Sequence, residues 1–106
     1  MVLHNYVQEN FGYEMTLFRP PKGEFSVRSL SLTQSLGYRS VFWSYAYQDW
    51  DTGNQPDVQS ALELTTSCAH NGGIFLLHAV SATNAAMLGD LIDNLQSRGY
   101  SLQLYT

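Results

Sequence analysis

The chain predicts an α/β fold built from parallel βα units, and three observations carry that prediction. Short apolar runs alternate with amphipathic stretches in the order α, β, α, β, α, β, α, β, which implies right-handed crossovers and a parallel sheet. Four consecutive apolar residues, Ile74-Phe75-Leu76-Leu77, follow the Gly72-Gly73 turn and end in His78. Such a run suits a strand buried on both faces. The helix after it carries Leu88, Leu91, Ile92 and Leu95 at i, i+3, i+4 and i+7 and stops at Gly99.

Each element has a local reason. Leu3, Tyr6, Val7 and Phe11 keep helical spacing, so residues 2–10 read as the later part of a helix that Gly12 ends. Met15-Thr16-Leu17-Phe18 is the first strand. It runs into Arg19-Pro20-Pro21-Lys22-Gly23, where two prolines exclude helix and ladder and leave a rigid loop presenting Arg19 and Lys22. Ser26 caps a helix over 27–36 that carries Val27, Leu30 and Leu36 and stops at Gly37. Tyr38 to Ser44 is the second strand, centred on Val41, Phe42 and Trp43. From Tyr45 to Pro56 follows a polar and aromatic loop, long enough to mark function more often than connection. Asp57 caps a helix across 58–69 with Val58, Ala61, Leu62 and Thr65 on one face. Strand 73–78 comes next, then the helix from Thr83, and Ser101 to Tyr105 is the last strand.

With 106 residues the chain can bury one core, but it is short of a complete α/β barrel of about 250 residues. It reads as one unit supplying about half of a barrel, with open sheet edges to protect. A net charge of −4 and the lack of a basic cluster exclude a nucleic-acid surface. No window approaches the roughly 18 apolar residues of a membrane span. The start, Met1-Val2-Leu3-His4-Asn5, has neither the basic nor the apolar region of a signal peptide. Cys68 is the single cysteine, so no internal disulfide forms, and its helical position reads as a small core residue.

In a parallel sheet the loops after each strand share one rim, where ligands and chemistry are placed. That rim collects Arg19, Asp49 with Trp50, and His78. A carboxylate bonded to one imidazole nitrogen fixes the tautomer and leaves the other nitrogen to give or take a proton. An Asp–His pair beside a guanidinium suits hydrolysis. The plainer readings stand beside it: a core histidine on a backbone carbonyl, Arg19 paired with Glu24, Asp49 capping a turn, Trp50 in the core. Spacing alone gives no metal site, since His4, His70 and His78 lie far apart and no His-x-x-x-His or Cys-x-x-Cys pair occurs. Gly72-Gly73 lacks the helix of a phosphate loop, and no Gly-x-Ser-x-Gly elbow is present.

Longer stretches carry a family resemblance. Phe18-Arg19-Pro20-Pro21-Lys22-Gly23-Glu24-Phe25-Ser26, Leu36-Gly37-Tyr38, and Val41-Phe42-Trp43-Ser44 with Asp49-Trp50 resemble the NodB-like polysaccharide deacetylases. Leu76-Leu77-His78-Ala79-Val80-Ser81 with Asn84, and Arg98-Gly99-Tyr100, resemble the branch of delta-lactam-biosynthetic de-N-acetylases, which act on muramic acid residues of peptidoglycan in spore cortex formation. The resemblance implies the C-terminal half of a distorted (β/α) barrel. It gives Arg19 the role of orienting a catalytic-base aspartate, Asp49 that of holding the catalytic histidine, and His78 that of general acid to the leaving amine. Trp50 would wall the substrate groove and Leu76 would line the acetyl pocket. It also implies a divalent metal, commonly zinc, that polarises the amide and activates water.

The family's Asp-Asp and His-x-x-x-His motifs precede the Arg-Pro-Pro loop and do not occur in this sequence. The expectations are therefore a partial domain over 1–106, begun midway through a helix, with no metal ligands of its own and little activity alone. Peptidoglycan or another N-acetylated glycan is the expected partner, together with self-association or a complementing N-terminal half. The site of action is extracytoplasmic by resemblance. The alternative is a non-catalytic module in which Tyr45, Tyr47 and Trp50 stack on sugar rings or a partner, dimerising through open edges.

Overall fold

The computed structural model describes residues 1–105 and resolves into two compact units, Met1–Phe42 and Trp43 onward. In the first, α1 (Val2–Phe11) ends at Gly12, whose φ of 65° lets its N–H return to the carbonyl of Gln8. Strand β1 (Leu17–Phe18) leads through a 3-10 turn at Pro21–Gly23, with Lys22 left-handed at φ 57°, into α2 (Val27–Ser35). Ser26 caps α2 by a reciprocal pair of bonds with Ser29, at 3.0 and 2.9 Å. β2 (Arg39–Ser40) then lies parallel to β1, with Leu17 opposite Arg39 and Phe18 opposite Ser40. This is one βαβ crossover.

The second unit repeats the plan. β3 (Tyr45–Ala46) pairs in parallel with β4 (Phe75–Leu76), and α3 (Val58–Ser67) connects them. Asp57 caps α3 by accepting from the N–H of Ser60 at 3.0 Å. α4 (Ala82–Ser97) packs on α3. Ala61 and Thr65 from α3, Met87, Leu91 and Leu95 from α4, and Tyr45 from β3 make the core. Burying Met87 completely is worth about 1.5–3 kcal/mol. The turn before β4 needs both its glycines: Gly72 has φ 74°, and a Cβ on Gly73 would stand 3.0 Å from the carbonyl oxygen of His70.

The fold is α/β with short parallel strands, consistent with part of a (β/α) barrel. Several element boundaries differ from expectation. The single strand expected over 38–44 is two, because the run changes partner: Arg39 and Val41 donate to Thr16 and Phe18, whereas Ser44 donates to Ile74. The loop therefore begins after Ala46 and not at Tyr45. Ile74 to Leu77 is not buried on both faces; Ile74 is exposed and Phe75 to Leu77 are half-buried, since β4 has one ladder neighbour among the described residues. Among the described residues Ser101 to Tyr105 joins no ladder, and a strand has no existence apart from its pairing. On α4 the buried stripe is Met87, Leu91 and Leu95, while Leu88 is 47% exposed. The helix starts one residue earlier than Thr83, capped by Ser81. Val27 and Leu36 are exposed, and so is Cys68, which caps the end of α3 and is no core residue.

Candidate functional site

The centre of the second unit is a buried carboxylate. Asp49 is fully buried, which is costly for a charge unless every lone pair is occupied. Three donors occupy it. His78 donates its ring Nδ1–H to Oδ1 at 2.7 Å and its backbone N–H to Oδ2 at 2.7 Å. Asn84 donates Nδ2–H to the same Oδ2 at 2.6 Å. Burial pushes the carboxyl group's pKa upward, but the bonds from His78 and Asn84 together outweigh it and hold Asp49 below the usual carboxylate range. An ionised Asp49 accepts and cannot donate, so the ring proton sits on Nδ1 and Nε2 is left for other work. The His78 side chain is 41% exposed, so that second nitrogen can meet a ligand.

Three elements bring these groups together. Asp49 follows β3, His78 follows β4 by one residue beyond Leu77, and Asn84 lies in the first turn of α4. Parallel strands place their following loops at the same end, so Asp49 and His78 converge although 29 residues separate them. Gln55 braces the loop. Its Nε2 donates to the carbonyls of Asp49 and Asp51 at 3.0 and 2.9 Å, and its Oε1 accepts from Ser81 Oγ at 2.6 Å and the Thr83 N–H at 3.2 Å. Among the described residues no buried side-chain polar atom lacks a partner.

Around the pair lie aromatic side chains. The Trp50 ring meets the His78 ring edge-on, 6.4 Å between centroids, and is 55% exposed. It lines a groove of about 540 Å³ with Tyr47, Gln48, Asp51, Asn54, Pro56 and Leu64. Tyr47 donates its hydroxyl to Asn84 Oδ1. Burial, and then the charge of Asp49, raise the Tyr47 pKa, so the hydroxyl stays protonated at neutral pH. Tyr45 corrects an expectation. The expected stacking surface beside Tyr47 is absent at this residue, which is 8% exposed, packs on Phe75, and shares a 2.9 Å hydrogen bond with Thr65. It is a core residue with no face for a sugar ring.

Leu76 lies half-buried in β4, opposite Ala46. Arg19 is exposed and follows β1 in the first unit, where the described residues include no ion pair between it and Glu24. Asn84 and Gln55 were not recognised from sequence as site residues. The available signal was Ser81 three residues before Asn84, a capping pattern that sets an amide at the mouth of a helix just after a candidate histidine. Among the described residues no three His, Cys, Asp or Glu side chains gather as a metal set requires. Asp49, the carboxylate against His78, has both oxygens engaged. The residues present do not fit the metal that the resemblance implies.

No protein-family model matches the chain. Curated relatives do. The peptidoglycan-N-acetylmuramic acid deacetylase PdaA of Bacillus subtilis is 45% identical over 85 residues, which covers 80% of this chain and 32% of that protein. The solved structure of Bacillus subtilis PdaA, a family 4 carbohydrate esterase, superposes with a TM-score of 0.85 at 40% identity, covering 94% of this chain and 43% of its own. The chain is related to the polysaccharide deacetylases. A peptidoglycan-N-acetylglucosamine deacetylase of Bacillus cereus is 30% identical over 95 residues, covering 87% of this chain and 44% of that protein. A second solved structure, a polysaccharide deacetylase from Bacillus cereus, matches in fold alone at 19% identity and TM-score 0.77, covering 97% of this chain and 53% of its own. The chain spans about a third of the length of the first curated relatives it matches, 37% and 32%.

Proposed function

We propose that these residues form the histidine-bearing, C-terminal part of a deacetylase domain that removes N-acetyl groups from peptidoglycan amino sugars. The observation that carries this reading is the buried, threefold hydrogen-bonded Asp49 that holds His78 by Nδ1. In the reading, Asp49 remains charged and fixes the ring. His78 presents Nε2 to the scissile amide and, when protonated, passes a proton to the departing amine as the C–N bond breaks. Trp50 and Tyr47 wall the groove against one sugar ring, and Leu76 borders the acetyl methyl group. Arg19 orients a base contributed by residues outside these 106. A divalent metal such as zinc would polarise the amide carbonyl, with ligands also drawn from other residues. The name of the Bacillus subtilis relative supports N-acetylmuramic acid of peptidoglycan as the substrate, and the motif resemblance adds delta-lactam formation in the spore cortex and action on the wall side of the membrane.

The 106 residues alone supply the acid and its support, but no group to activate water. Acetate release from peptidoglycan fragments, with zinc added, should therefore not exceed the blank for the isolated chain. A chimera carrying these residues in place of the matched segment of Bacillus subtilis PdaA should release acetate from muramic acid. A folded chimera without activity overturns the reading.

A second reading is favoured by the exposed indole of Trp50 on the groove: a glycan-binding module without catalysis. It predicts that the isolated chain binds peptidoglycan fragments, that Trp50→Ala abolishes this binding, and that the chimera is silent.

A further inference from the structure

The amide of Asn84 stands between the groove and the carboxylate. Its Nδ2 donates to Asp49 Oδ2 at 2.6 Å and to the backbone carbonyl of His78 at 3.1 Å, while its Oδ1 accepts from Tyr47. Both partners on the nitrogen side are acceptors with no hydrogen to offer. A flipped amide would set its oxygen against two oxygens, so only one orientation is satisfied. The protonated hydroxyl of Tyr47 on the other side selects the same orientation. Asn84 is itself buried, and its backbone N–H is anchored on Ser81 Oγ at 3.0 Å.

We propose that Asn84 is the positioning residue of the Asp49–His78 pair, and that Tyr47 sets its amide. With Oδ2 shared by the His78 backbone and Asn84, the carboxylate cannot rotate, and Oδ1 is aimed at the ring. His78 is thereby held in the Nδ1–H tautomer with Nε2 outward. The same amide also ties the backbone carbonyl of His78 to the start of α4. Because Tyr47 both lines the groove and bonds Asn84, a ligand that shifts the Tyr47 ring changes the support of the imidazole.

The inference rests on His78 being the working group of the proposed deacetylase, but its test needs no turnover. In proton NMR of the 106-residue chain, the His78 Nδ1–H should give a protected downfield resonance. Asn84→Ala should raise the solvent exchange of that proton at least tenfold, broadening the line away. Tyr47→Phe, which leaves Asp49 and His78 untouched, should raise it a few-fold. Gln55→Ala is the control, because it loosens the same loop without touching the carboxylate: it should lower the melting temperature and leave the resonance sharp. A sharp His78 line in both Asn84→Ala and Tyr47→Phe overturns the proposal, as does equal loss of the line in Gln55→Ala. Failure of the chimera to release acetate, with these line changes observed, would remove the deacetylase reading and leave the positioning role intact.

Discussion

The two compact units share a βαβ plan and differ in what holds them. In Met1–Phe42 Pro20 is the one buried residue, and every other apolar side chain is half-buried or exposed. Its helices rely on two local devices, the glycine stop after α1 and the reciprocal Ser26–Ser29 cap, together with a longer-range bond of 2.5 Å between His4 Nδ1 and the Tyr38 hydroxyl. From Trp43 onward there is a core of Met87, Leu91, Leu95, Ala61 and Tyr45, with a satisfied polar layer of Asp49, Thr65, Ser81, Thr83 and Asn84 beside it. The lesson is that the Asp49–His78 pair is built into the unit that has a core. A charged group can be held rigidly out of water only where neighbours are themselves fixed by packing.

Substitutions can break this contrast, beginning with the strongest. Met87→Ala removes a wholly buried side chain and should cost about 3–4 kcal/mol in urea unfolding. Asp49→Ala takes the acceptor from the His78 backbone N–H and ring Nδ1–H and from one hydrogen of the Asn84 amide, and should cost about 2–3 kcal/mol by the same measurement. Acid sharpens the point. The pKa of Asp49 is lower folded than unfolded, so its contribution is fully present above the unfolded carboxylate value of about 4 and is lost as pH falls through the folded value. The urea midpoint of the wild-type chain should fall below about pH 4 more steeply than that of Asp49→Asn. At the weak end, Val27→Ala in α2, at a side chain 83% exposed, should stay within about 0.5 kcal/mol of wild type. A large loss there would mean the contrast is wrong.

The sequence made much of this legible. Alternating apolar runs and capping residues located all four helices to within a residue or two, because caps and periodicity are local signals. The convergence of Asp49 and His78 followed from parallel topology alone. What escaped were features decided by pairing. The split at residues 41–44, the exposure of Ile74 and half-burial of Phe75 to Leu77, and the unladdered segment from Ser101 to Tyr105 depend on which neighbour each backbone meets. Tyr45 and Tyr47 lie two apart, and one-residue detail decided that the first enters the core while the second reaches Asn84. Asn84 was legible as a motif position three residues after the Ser81 cap, but an amide reveals its role only through its partners.

Acetate release from peptidoglycan by the PdaA chimera, compared between His78→Ala and His70→Ala, decides whether His78 is the working group. His70 sits in the turn before β4, bonded to the carbonyl of Cys68 and away from Asp49. His78→Ala should lower the rate by about 10²–10⁴-fold, the usual worth of a positioned proton donor, while His70→Ala should stay within about twofold. Equal rates for the two variants would contradict that role for His78.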